Sequence, residues 1–349
     1  MLALSPVGAV LMTMIVGAII FWAIGYDGPR AVEEMFFTPV LAPYKWPDVA
    51  TKAAPLILIA LGLTLGNRAK IWNIGAEGQY LLGAVGGAGV AMLTQDYTGW
   101  WIIPLMILVG ILAGAFWAGI VAWLRNAFGV NEILSSLMLV YVALQLLNYL
   151  VSGPWKDPNG QNFPQTAPFT ASQHLPAHAF GLPFPVGLYV AFGLALVFWL
   201  VMARSEYGLG VRIVGDAPKA ARYAGYSQAH AVWSTLLVSG GMSGLAGVME
   251  AMTQSGQLNL GFPSGYGFTA IIVSFLGRLH PIGIVLAGIV LAISYVGGQV
   301  AQTVVHVPSA TAGIFQAMML FFILASDVLV RRRIRIDWGG AAKTAGARS

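Results

Sequence analysis

Ten stretches of the chain are apolar enough to read as membrane helices: 7–26, 53–67, 74–94, 101–124, 132–151, 185–203, 231–250, 266–277, 281–301 and 309–330. Many approach or exceed the roughly 20 residues that a helix needs to cross a bilayer. Small residues recur four apart inside them (Gly83 and Gly87, Gly110 and Gly114, Gly240 and Gly244), the spacing that lets helices approach closely in lipid. Alternating ten-residue strands are missing from the pattern, which argues against a barrel. The pattern predicts an all-α polytopic bundle over 1–330 with about ten spans, followed by a basic tail, 331–349.

One polar stretch interrupts this background: Arg204–His230, RSEYGLGVRIVGDAPKAARYAGYSQAH. Asp216 suits an N-cap, Pro218 the first helical turn, and Gly225 the C′ stop. These signals predict one short helix, Ala217–Ala224, about 12 Å long at 1.5 Å per residue. Its alanines at 217, 220, 221 and 224 follow the spacing of a single face, with Lys219, Arg222 and Tyr223 pointing elsewhere. A stripe without long side chains suits insertion into a partner's groove. The alternative is a helix packed on its own bundle.

Composition agrees with the hydropathy pattern. The chain is 58% hydrophobic and 9% charged, with a mean hydropathy of +0.76, against about 25% charged residues in soluble domains. No cysteine is present, so disulfides, thiolate chemistry and cysteine metal sites are excluded. With 204–230 in the cytoplasm and the sides alternating, the inner side holds Arg68, Lys70, Arg125, Arg204, Arg212, Lys219, Arg222, Arg278, Arg331, Arg332, Arg333, Arg335, Lys343 and Arg348. The outer side holds Arg30, Lys45, Lys52 and Lys156. That distribution obeys the positive-inside rule and puts both termini in the cytoplasm. The first span lacks a basic leader and a clear cleavage site, so it reads as a retained helix; the abrupt start, MLALSPVG, is compatible with a missing leader. RRRIRI after the last span reads as an anchor for the inner headgroup layer and not as a nucleic-acid site. Two outer loops are expected. Loop 27–52 carries Phe36, Phe37, Tyr44 and Trp46 for the interfacial belt. Loop 152–185 is too rich in proline for regular helix and reads as either an ordered cap or a connector.

Candidate chemistry is sparse. Gly66–Gln79, GNRAKIWNIGAEGQ, joins two short spans, with Glu77 expected in a first helical turn, where the dipole favours a carboxylate, and Arg68 or Lys70 as counter-charge. Irregular backbone at such depth must be satisfied by protein or water, as part of a gate or as a capped helix start. Leu65-Gly66-Asn67-Arg68 has a faint echo in Leu276-Gly277-Arg278. Gly241-Met242-Ser243-Gly244 matches a serine-protease GxSG, but alternation puts Ser243 mid-membrane and His280 and His306 at opposite faces, out of hydrogen-bond reach. No GxxxxGK[ST] loop exists to cradle a nucleotide. An ion-coupled secondary transporter is the rival reading. It is disfavoured because Glu77, Glu132, Glu250 and Asp327 fall at span ends and leave the midplane without a coupling group.

NIGAEGQ after a short span, VNEILSSLMLVY opening the fifth span, and GDAPKAARYAGYS together resemble the permease subunits of bacterial ATP-binding-cassette importers. More narrowly they resemble the nucleoside branch, related to the simple-sugar and branched-chain amino-acid permeases, over roughly residues 50–330. The resemblance implies that the Gly/Ala-rich loop is a coupling helix for an ATPase, a role falling here on Gly215, Asp216, Ala217, Ala220, Ala221 and Gly225. It implies a plasma (inner) membrane location, a separate ATPase subunit that uses the ATP, and a second related permease in a homo- or heterodimer. It further implies an extracytoplasmic substrate-binding lipoprotein or periplasmic protein, with no cofactor or metal bound by this chain. Sugar permeases of the group usually carry a GGIDLSVG-type segment where this chain has NIGAEGQ, which favours nucleosides. A nucleoside needs aromatic surfaces for its base and amide or hydroxyl partners for its ribose. The candidates are Asn73, Glu77, Gln79, Asn148, Gln254 and Phe275, with Glu250 a further one. The first fifty residues match no motif.

Overall fold

The computed structural model describes residues 5–176, 181, 183–308 and 310–331; the predicted tail lies outside them beyond Arg331. Each predicted apolar segment forms a helix: α1 (Ser5–Ile24), α2 (Trp46–Arg68), α3 (Ala76–Leu93), α4 (Ile102–Phe128), α5 (Glu132–Ser152) and α6 (Val186–Arg204). The polar insert forms α7 (Glu206–Asp216) and α8 (Pro218–Tyr223). Then come α9 (Gln228–Glu250), α10 (Tyr266–Leu276), α11 (Pro281–Val304) and α12 (Thr311–Arg331). Among the described residues, seven helices are long and apolar enough to cross a membrane. The helices of the predicted spans 74–94, 266–277 and 309–330 are not among them, and the one at 266–277 is the shortest. Its 11 residues reach only about 16 Å, half the thickness of a bilayer core.

The centre of the bundle is α2. It is apolar on every side and buried without interruption from Ala53 to Gly66, as expected for a helix with no solvent face. Around it α3, α4 and α9 meet backbone to backbone. A Cβ at Gly244 would stand 2.3 Å from the Gly110 carbonyl oxygen, and one at Gly114 would stand 2.4 Å from that of Gly240. A Cβ at Gly83 would stand 2.3 Å from Gly244 Cα. The small-residue pairs of three separate spans are therefore one three-helix crossing, closed because no side chain intervenes.

Two expectations need correction. Segment 27–52 is not a loop. It folds into the short turns Gly28–Val32, Glu33–Phe37 and Thr38–Leu41, and Trp46 already opens α2. Ala31, Val32, Met35 and Phe36 share one helical face and are buried. The Met35 carbonyl lies so close to α11 that only a glycine fits at 297. Phe37, Tyr44 and Trp46 remain exposed, as an interfacial belt requires. The polar insert, in turn, holds two helices and not one. GLGVRIVGD continues helically because Gly208, Val211, Val214 and Gly215 form a buried face. The break falls at Ala217, whose φ of −143° and ψ of 73° follow from the crowding that Pro218 imposes on the residue before it.

The proline-rich segment after α5 is ordered against the turn after α9. Thr166 N–H donates to the Leu258 carbonyl at 2.9 Å, Phe169 N–H to Gly256 at 2.7 Å and Leu175 N–H to Met252 at 3.1 Å. Gln173, fully buried, donates to the Ala91 carbonyl at 2.9 Å and ties the segment to α3.

Candidate docking helix and interior polar cluster

The insert is built to hold α8 away from the bundle by one anchor. Ser205 Oγ accepts from Gly208 N–H at 3.1 Å and starts α7. At the other end of α7, a Cβ on Gly215 would stand 2.0 Å from the Arg68 carbonyl oxygen, so α7 rests directly on the end of α2. The Tyr207 hydroxyl donates to Ser234 Oγ at 3.2 Å, and burial pushes its pKa up. Asp216 is exposed at the last position of α7 and caps nothing; the N-cap position of α8 is Ala217. The alanine stripe is divided. Ala221 is buried in a cluster with Leu65, Ala69, Val211, Val214 and Val232, whereas Ala217, Ala220 and Ala224 are exposed. Gly225 stops the helix with φ +83°, a backbone state that L side chains resist. Outward stand Lys219, Ala220 and Tyr223, the last 96% exposed.

The irregular segment between α2 and α3 is tied to neighbouring helices by hydrogen bonds. Trp72 N–H donates to Glu132 Oε1 at 3.5 Å and Ile74 N–H to Ser136 Oγ at 3.2 Å. Asn131 caps α5, accepting from Ile133 N–H at 2.9 Å, and Glu132 pairs with Arg125 at 2.6 Å. The motifs NIGAEGQ and VNEILSS are thus two halves of one contact. Asn73 and Gln79 exchange amide hydrogen bonds of 2.8 and 3.0 Å, and Asn73 also donates to Ser239 Oγ at 2.9 Å and accepts from Gly75 N–H at 3.1 Å. Both amides are buried and satisfied within the chain.

Glu77 does lie in the first turn of α3, but its partner is neither Arg68 nor Lys70. Its carboxylate accepts from Gly265 N–H at 3.0 Å and from Gly267 N–H at 2.6 Å, at the start of the half-length helix α10. A Cβ on Gly267 would stand 2.2 Å from Glu77 N, so the two helix starts touch. One carboxylate therefore serves two helix dipoles. Arg68 instead donates twice to the Leu279 carbonyl, at 2.6 and 2.9 Å. The echo between the two arginine-bearing turns appears in the backbone: Ala69, Lys70 and Ile71 donate to Leu65, Asn67 and Gly66. Gly277, Arg278 and Leu279 donate in the same pattern to Val273, Phe275 and Ser274. The ends of α2 and α10 then lie side by side, with Asn67 Nδ2 donating to Ser274 Oγ at 3.2 Å. Nearby, partial burial and the Arg68 charge push the pKa of His280 down.

Gln254 accepts from Lys52 Nζ at 2.8 Å, and the same ammonium lies 3.7 Å from Glu250 and 5.4 Å from the centre of the Tyr266 ring. From there a row of rings runs through the bundle. Tyr266 meets Tyr80 at 5.9 Å and Tyr295 at 5.7 Å, and Tyr80 stacks on Phe262 at 5.4 Å. The Tyr80 hydroxyl is buried with no hydrogen-bond partner among the described residues. Phe275 is separate, stacked on Trp72 at 5.7 Å. Asn148 is apart from all of these, exposed on α5 and accepting from Ser152 Oγ at 3.1 Å. Sequence reasoning missed Lys52 and the tyrosine row; a lysine seven residues into α2 was the available signal. Ser243 is no nucleophile: buried in α9, it donates to the Ser239 carbonyl at 2.9 Å.

Residues 47–324 match the family described as branched-chain amino acid transport system / permease component. The chain is 37% identical to the glucose ABC transporter permease protein TsgB13 of Haloferax volcanii, over 95% of this chain and 90% of that protein. It is 28% identical to the guanosine ABC transporter permease protein NupP of Bacillus subtilis, over 93% of each. It is 25% identical to the nucleoside ABC transporter permease protein NupB of Lactococcus lactis, over 93% of this chain and 92% of that one. No solved structure matches the chain.

Proposed function

Because the chain belongs to the family of branched-chain amino acid transport system permease components, and so is the permease subunit of an ATP-binding-cassette importer, we propose that α8 is its coupling helix. The observation that carries this reading is the divided alanine stripe: Ala221 locks α8 to the bundle while Ala217, Ala220 and Ala224 present a smooth outer surface. Gly215 and Gly225 set the position of that surface, and Asp216 lies at its edge. A separate ATPase subunit seats there and uses the ATP; this chain supplies no nucleotide site and no cofactor. The end of the bundle bearing Arg68, Arg125, Lys219, Arg222 and Arg278 faces the cytoplasm by the positive-inside rule, as do both termini. An extracytoplasmic binding protein delivers the solute to the opposite end, and a second related permease completes the channel.

The cargo is an uncharged nucleoside or a simple sugar. The ring row Phe262–Tyr80–Tyr266–Tyr295, flanked by Gln254, Lys52 and Glu250, offers flat faces and polar groups of the kind both solutes need. The relatives are named for glucose, for guanosine and for nucleosides, so NIGAEGQ does not by itself separate the two cargoes. The other path candidates, Asn73, Gln79 and Glu77, act by holding the gate segment in shape. The test is uptake of labelled guanosine and glucose into vesicles carrying the assembled importer. ATP-driven uptake that competes with one solute class supports the reading. Uptake driven by an ion gradient with no ATPase present would replace it with the ion-coupled carrier.

A further inference from the structure

A groove of about 610 Å³ runs between α1 and α11. Val7, Val10 and Leu11 form one wall, and Ile282, Leu286 and Val290 form the other. From Ile282 to Val290 the α11 wall rises about 12 Å, within one leaflet of a hydrocarbon core about 30 Å thick. The end of the groove at the first turn of α11 is polar. Half-buried Arg278 and exposed His280 line it, and no acidic residue does so among the described residues. That end is also held firmly. A Cβ on Gly283 would stand 2.3 Å from the Gly277 carbonyl oxygen, so the end of α10 is seated on the first turn of α11. Arg68 binds the Leu279 carbonyl twice, which brings a second guanidinium to the residue next to Arg278. A second groove on α11, about 280 Å³ beside Ile289 and Ile293, is walled by Trp46, Phe184 and Phe192 and carries no charged residue. Of these two grooves, only the one against α1 joins an apolar trough to fixed positive charge.

We propose that the α1–α11 groove holds one anionic phospholipid of the cytoplasmic leaflet, its acyl chain along Val7, Leu11 and Leu286 and its phosphate on Arg278 and His280. Guanidinium groups form charge-assisted bonds with phosphate, and basic pockets between helices on the cytoplasmic side suit anionic headgroups. A zwitterionic headgroup would bring its own cation toward Arg278 and Arg68. The chain's basic tail, 331–349, carries the same sign of charge as this end of the groove and is a poor occupant. The choice of leaflet rests on reading the arginine-rich end as cytoplasmic; the fit of the groove to an anionic lipid does not.

The assembled importer, purified in detergent and titrated with phosphatidylglycerol or with phosphatidylcholine of the same acyl chains, provides the test. Native mass spectrometry counts the lipid retained. Phosphatidylglycerol is expected to be held several-fold more tightly than phosphatidylcholine. Arg278→Gln should abolish that preference, and Leu286→Trp, which fills the exposed trough, should lower retention of both lipids. Leu112→Trp, on the exposed face of α4, should change neither. The helical spectrum is followed in each variant, and Leu286→Trp decides alone should Arg278→Gln fail to fold. A benzophenone side chain at 286 should form adducts with phosphatidylglycerol. Equal retention of the two lipids by the unmodified importer would overturn the site. So would an unchanged preference in Arg278→Gln with unchanged retention in Leu286→Trp. Adducts at 286 to the tail or to a second permease chain, or displacement of the lipid by inorganic phosphate, would overturn it too. None of these outcomes touches the permease reading, which is decided by ATP-driven uptake.

Discussion

A carboxylate that bridges two helix starts is worth more than its place in one first turn suggests. Glu77 is 2% exposed and bonds two backbone N–H groups of the α10 start. Hydrogen bonds to a charged group contribute about 1.5–3 kcal/mol each. Glu77→Gln removes the charge and turns an amide N–H₂ toward those donors, so the detergent-solubilised protein should melt several degrees lower by differential scanning fluorimetry. Gly225→Ala should cost about 1 kcal/mol, the usual penalty for a β-carbon at positive φ, seen as a smaller drop in the same measurement. At this scale the sequence was half legible. Glu77 was visible as a first-turn acid because helix starts carry local signals. Its partner was not, because Gly265 and Gly267 lie about 190 residues further along, and no local rule joins them. Asn73 and Gln79 stood out as polar residues in an apolar run, yet their mutual bonding depends on the reversal at Lys70.

Helices were the most legible level, since each apolar run maps onto one. Periodicity does not report where a short apolar run stops crossing, which is why α10 passed as a span. It does not show that small-residue stripes on α3, α4 and α9 meet at a single point either. That crossing yields a prediction at the scale of the packed elements. Gly244→Val places a branched side chain where a bare Cβ would already be 2.3 Å from a carbonyl oxygen. Overpacking of this kind costs about 1–3 kcal/mol or more, and reduced yield of folded protein in membranes should follow. The same reasoning separates two alanines of α8. Ala221→Trp should lower thermal stability, because position 221 is 2% exposed. Ala220→Trp should leave stability unchanged and abolish ATPase stimulation by the binding protein, because position 220 is on the open side. Loss of both properties in both variants would deny α8 its docking role. The division of the stripe was not visible in the alanine spacing; it arises from Val211 and Val214 of α7, which cover one edge of α8.

For the whole molecule, orientation is the property that every other assignment uses. The chain has no cysteine, so Lys219→Cys introduces a single reporter. An impermeant maleimide should label it in inside-out vesicles and not in intact cells; the reverse labelling would invert the bundle. The bundle's shape also bears on what it admits. Broken helices inside carriers expose a bare positive pole that welcomes anionic cargo. Here the pole of α10 is already neutralised by the chain's own Glu77. A phosphate ester entering the bundle finds no vacant seat there, so nucleotides and sugar phosphates should be turned away while their dephosphorylated forms pass. Uptake of labelled guanosine that is competed by unlabelled guanosine and not by its monophosphate is the outcome expected of a bundle whose inner helix pole is already occupied.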